Sequence, residues 1–91
     1  MATIAEWVKI DGERVLQSLQ EAYEKLGAAD GELVLDFSAV RRIDGAALAS
    51  LEKLASAAEA RNVKLVVRAV SVEIYKVLKL ARLAPHFTFL S

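Results

Sequence analysis

Ninety-one residues without a cysteine, 55% of them apolar, describe one domain held by a core rather than by disulfides. Lysine and arginine number 12, as do aspartate and glutamate, so no cationic excess draws the chain to nucleic-acid phosphates. Such neutrality suits a protein partner or a homodimer, and no apolar run reaches the ~18 residues of a membrane span.

Residues Thr3 to Ile10 are β-prone through Ile4, Trp7, Val8 and Ile10, and Asp11-Gly12 supplies a turn or the start of a helix. From Glu13 the spacing changes. Val15, Leu16, Leu19, Ala22, Tyr23 and Leu26 predict an amphipathic helix, with Gly27 as its stop. Leu33 to Phe37 is a short apolar run between Gly31 and Ser38 and reads as a buried strand. A second helix spans Ala46 to Arg61, with Leu48, Leu51, Leu54, Ala55 and Ala58 on one face and Asp44 as its N-cap. Val63 to Val70 is a β-branched strand. Ser71 then caps a third helix that carries Ile74, Tyr75, Val77, Leu78 and Ala81 and is stopped by Pro85. Phe87 to Leu90 closes the chain as a last short strand.

Strand and helix alternate, so right-handed crossovers predict an α/β fold: a small, mostly parallel or mixed sheet of about four strands with three helices packed on it. No linker, repeat or low-complexity tract interrupts residues 1–91, which read as a single domain.

The block Asp36-Phe37-Ser38-Ala39-Val40, continued by Ile43-Asp44-Gly45-Ala46-Ala47-Leu48, resembles the signature of STAS domains. That family holds the cytoplasmic domains of sulphate transporters and the bacterial anti-sigma-factor antagonists. Asn62 to Val66 and Val77 to Leu83 look like the family's later strand and the helix after it. The resemblance runs from about Gly12 to the C-terminus. Members commonly open with two strands and often end with a further helix, so a shortened member with an exposed N-terminal sheet edge is expected here.

In the family, the stretch at Asp44 usually reads Asp-Ser-Ser-Gly-Leu, and a partner kinase phosphorylates its first serine. The helix N-terminus there tolerates the added negative charge. Gly45 occupies that position in this chain and cannot carry a phosphate. The nearest hydroxyls are those of Ser38, in the loop, and Ser50, more than a turn into the helix. The face opposite the apolar stripe holds Ala46, Ala49, Ser50, Lys53, Ala57 and Ala60, and the resemblance makes it the face that receives partners. Alanine is also the best helix former, so an exposed alanine row has a second explanation in helix propensity alone. Arg41 and Arg42 either steer an acidic partner or are solvated loop cations. Ser38, Arg41, Arg42, Asp44, Gly45, Ala46, Ala49, Ser50 and Lys53 together make the candidate partner-binding set.

Catalytic signatures are missing. The sequence has no glycine-rich nucleotide loop, no Gly-x-Ser-x-Gly elbow and no cysteine nucleophile. Asp44 has no second carboxylate or histidine in sequence for acid–base work, Asp36 reads as a holder of loop backbone, and His86 alone makes no metal site. No catalytic residue, cofactor or metal is expected. The resemblance implies a cytoplasmic, non-enzymatic interaction module, acting like an anti-sigma-factor antagonist that docks on a kinase-type regulator. Two alternatives stand beside it: a cytoplasmic STAS subunit of an ABC-type lipid transporter, and a small-ligand or nucleotide sensor.

Overall fold

A computed structural model describes residues 6–29 and 31–90. In chain order the elements are β1 (Glu6–Lys9), α1 (Val15–Lys25), β2 (Glu32–Asp36), α2 (Gly45–Ala60), β3 (Lys64–Arg68), α3 (Val72–Leu80), a 3-10 turn (Ala84–His86) and β4 (Thr88–Leu90). The part of the first predicted strand before Glu6 lies outside the described residues.

All four strands are parallel and sit in the sheet in chain order, β1-β2-β3-β4. Right-handed crossovers between successive neighbours place every connecting helix on the same face of the sheet. The core agrees. Val8, Leu33, Leu35, Phe37, Leu65 and Val67 from the strands join Leu19, Ala22, Leu51, Leu54, Ile74 and Leu78 from the helices in one buried cluster. Val34 and Val66 are equally buried yet fall outside that cluster, because strand side chains alternate and these two point to the other face.

The predicted elements are all present, with shifted ends. The buried stripe of α1 is Ser18, Leu19 and Ala22, flanked by partly buried Val15, while Leu16 and Tyr23 are exposed. A serine replaces leucine in the stripe because its Oγ accepts the Asp11 N–H at 3.0 Å and so satisfies the loop that leads into the helix. Gly27 does follow α1, but without a left-handed backbone; tight turns carry the chain on, with Ala28 N–H bonded to the Lys25 carbonyl at 3.0 Å.

Pro85 does not stop α3. The helix closes earlier, at Arg82, whose φ of 63° turns the chain so that the Leu83 N–H reaches the Leu78 carbonyl at 2.8 Å. Pro85 instead sits at the second position of the 3-10 turn, where its fixed φ and missing N–H cost nothing. The same closure ends α2: Asn62 has φ 59° and the Val63 N–H bonds to the Ala58 carbonyl at 2.8 Å. The strand-end ladders continue one residue past β2, through Phe37 N–H to the Arg68 carbonyl at 3.0 Å.

Candidate docking surface

The carboxyl ends of β1 and β2 deliver two loops that lie against each other. A Cβ placed on Gly12 would stand 2.1 Å from the Ala39 carbonyl oxygen, so only glycine lets the β1–α1 loop approach the β2–α2 loop this closely. Within the second loop, Asp36 Oδ1 accepts the Ser38 N–H at 2.9 Å, and Arg68 stands 3.5 Å from its other oxygen. The Ser38 hydrogen bond, with help from Arg68 and Lys9, holds this carboxyl below its ordinary value of 3.8. Asp36 therefore holds loop backbone, as its place at the strand end suggests.

Asp44 begins α2. Its backbone is extended, its Oδ1 accepts the Ala47 N–H at 2.8 Å, and its carbonyl takes the Leu48 N–H at 3.0 Å. The carboxylate is thus occupied as an N-cap and faces the positive end of the helix. α1 has no such cap: Arg14 stands at its start without a side-chain bond to the first turn. Between the two helix starts lies a cleft of about 540 Å³, lined by Gly12, Arg14, Leu16, Arg42, Asp44 and Ala47 among others.

Gly45 follows the cap, in the first turn of α2. It has no positive φ, and nothing lies within 4 Å of where its Cβ would stand. Neither conformation nor crowding demands glycine there, so the position is bare by composition and open to solvent. Ala46 and Ala49 continue this exposed, side-chain-poor surface.

The rest of the predicted set divides. Ser38, Arg41 and Arg42 are exposed on the loop, and Arg42 reaches the cleft. Ser50 is only half-exposed, and the Lys53 ammonium sits 4.9 Å from the ring centre of Tyr23 on α1. Lys53 is thus drawn toward α1, while Ala46 and Ala49 stay exposed in the first turns of α2. Two features escaped sequence reasoning: the Gly12–Ala39 contact, which joins residues far apart in the chain, and the buried Ser18 acceptor. A serine three residues after Val15, on an otherwise apolar stripe, was the available sign of the second.

Among the described residues no group of three or more His, Cys, Asp or Glu side chains is arranged to hold a metal ion, and no helix is long and apolar enough to cross a membrane. A family model described as "Mlab, STAS domain" matches residues 8–88. The chain belongs to the STAS-domain family. The match takes in the end of β1, from Val8, as well as most of the region from Gly12 onward that carries the sequence resemblance. No curated protein matches the chain significantly. STAS domains are in general non-enzymatic modules that mediate protein–protein interaction and regulation.

Proposed function

We propose that this STAS domain works like an anti-sigma-factor antagonist, docking the first turns of α2 and the loop before them on a kinase-type regulator, without phosphorylation control. One observation carries the reading. The start of α2 is a rigid, exposed surface nearly free of side chains, with Asp44 committed to its cap and open space around Gly45. A partner helix can approach such a surface closely, and close approach lets dispersion contacts accumulate. The loop that frames it is held by the Gly12–Ala39 contact and the Asp36–Ser38 bond, so little ordering cost falls on binding.

The absence of a switch is specific to one side chain. Gly45 lacks the hydroxyl, but its surroundings accept one, so Gly45→Ser should fold normally and gain a phosphate when incubated with a cognate kinase and ATP. The natural chain should stay at its unmodified mass under the same treatment. A phosphate on the natural chain near the start of α2 would overturn the unregulated reading.

Docking is tested by Ala49→Arg, which sets a long charged side chain on the proposed contact. Its stability should stay within about 0.5 kcal/mol of the natural chain, as exposed substitutions usually do. Affinity capture beside the natural chain should lose a soluble kinase-type regulator. Loss of ABC-transporter subunits instead would move the partner to the membrane assembly while keeping the docking face, and capture insensitive to the substitution would reject the face.

A further inference from the structure

The second exposed surface of the helix layer lies on α3. Leu80 keeps 85% of its surface in solvent and Val72 keeps 69%, values that stand out in a chain of this size. Both lie away from the buried Ile74 and Leu78, with Lys76 between them at the i, i+4, i+8 spacing of one helix face. Lys76, Lys79 and Arg82 surround Leu80, and the four line a shallow depression of about 460 Å³. Among the described residues the one ion pair is Arg68–Asp36, so these three cations have no carboxylate partner. Glu73 stands on the first turn of α3, and Glu52 of α2 shares a smaller recess with Arg82.

Two further observations bear on this face. Arg82 has φ 63°, a backbone position that glycine fills without the steric penalty of a Cβ, so the turn by itself gives no reason for an arginine there. In addition, α1 lies along α2, whereas α3 makes at most glancing contact with α2. A small recess opens where the end of α3 meets α2, lined by Ser56, Ala81 and Arg82 among others.

We propose that the outer face of α3 is a second docking surface, and that its occupant is an acidic amphipathic helix of a partner protein. Covering Leu80 and Val72 removes apolar surface from water, which favours association. The same act desolvates the rims of Lys76, Lys79 and Arg82, and that is tolerated only if the partner brings carboxylates to them. A helix with an apolar stripe flanked by Glu or Asp supplies both at once, in the helix-in-groove manner. A flat anionic bilayer would satisfy the cations, but the depression around Leu80 suits the side-chain ridge of a helix better than a flat surface. This surface is independent of the α2 reading, because none of its residues belongs to that face.

The test is an amide NMR titration of the natural chain with two synthetic helical peptides of about four turns that share a leucine stripe. One carries Glu at its remaining positions and the other Lys. The acidic peptide should shift the amides of Lys76, Lys79 and Leu80, and its affinity should fall as salt is raised. Leu80→Ser should weaken it roughly tenfold, as expected for losing one buried leucine contact, and Lys79→Glu should weaken it too, both with unchanged melting temperature. Ala49→Arg should leave it unaltered, so failure here and failure of the α2 face are separable. Equal binding of the basic peptide, or shifts confined to α2, would overturn the proposal. So would Leu80-dependent binding to mixed phosphatidylcholine–phosphatidylglycerol vesicles without binding of the acidic peptide.

Discussion

The two faces of the sheet are built from alternate residues of the same four strands, and they solve the burial problem differently. On the helix side, Leu33, Leu35, Leu65 and Val67 are sealed by three helices, with Phe89 of β4 meeting Tyr75 edge-on at a centroid distance of 5.0 Å. On the other side no helix covers the described strands. The register sets Trp7, Val34, Val66 and Thr88 in one row, and Lys9, Asp36, Arg68 and Leu90 in the next. Val34 and Val66 keep only 3% and 4% of their surface exposed, although they belong to this open face. Their neighbours do the covering. The Arg68 guanidinium lies 5.5 Å from the Trp7 ring centre while its other side pairs with Asp36, so one long side chain bridges a ring and a carboxylate across three strands. Polar side chains at the rim thus shelter an apolar centre two residues wide, a device that works only while that centre stays small.

The comparison breaks most visibly at Leu35 and Val34, adjacent residues on opposite faces. Leu35→Ala should cost roughly 2–5 kcal/mol, because a rigid helix layer cannot collapse into the cavity. Val34→Ala should cost about 1–2 kcal/mol, since fewer methyls are lost and flexible rim side chains relax into the gap. Urea titrations of the two variants read the difference directly; equal costs would mean that the open face is packed as tightly as the helix face.

A smaller effect should come from the charge in the ladder. Asp36→Asn keeps the shape and an acceptor for Ser38 but removes the charge facing Arg68 and Lys9, and should cost about 0.5 kcal/mol at neutral pH. The sign with pH is fixed by the direction of the shift. A carboxyl held below 3.8 adds stability that is fully present above that value and lost as pH falls through the lowered folded-state value. The gap between the natural chain and Asp36→Asn should therefore be constant above about pH 5 and close on further acidification. A gap that widens in acid would reverse the assignment.

A change of comparable size is expected at Trp7, which is 54% exposed on an edge strand. Trp7→Ala should destabilise by about 1 kcal/mol or less. It should also expose Val34, read as faster amide exchange in β2 than in β3, because β2 is the direct neighbour of Trp7. No change in exchange would mean that Arg68 alone shelters the row.

Much of this molecule was legible in its sequence for a local reason. Helix period at Leu51, Leu54 and Ala58, strand-like runs at Leu33 and Leu65, and caps at Asp44 and Ser71 each depend on residues within one or two turns, and each is present in the structure. The order of alternating strands and helices also carried the parallel sheet, because crossover handedness leaves few alternatives. At the proposed docking surface, Gly45 was legible as a missing hydroxyl, and the bare helix start followed from Ala46 and Ala49.

What the sequence could not decide lay in contacts between distant segments. Gly12 read as a turn residue, and only the packing of two loops makes its missing Cβ necessary. Lys53 read as part of an outward face until α1 brought Tyr23 beneath it. Leu16, Tyr23 and Leu80 carry the apolar character of core residues, yet tertiary packing left them in solvent. Periodicity reports which side of an element is apolar; how far a neighbouring element extends over that side is fixed by the assembled layers. The sequence by itself therefore determined the elements, their order and the loss of a phosphorylatable side chain at Gly45. Tertiary structure alone decided that all three helices share one face of the sheet, that rim side chains shelter the other, and that Leu80 stands uncovered among Lys76, Lys79 and Arg82. Those outcomes depend on distances between residues far apart in the chain, which no local pattern encodes.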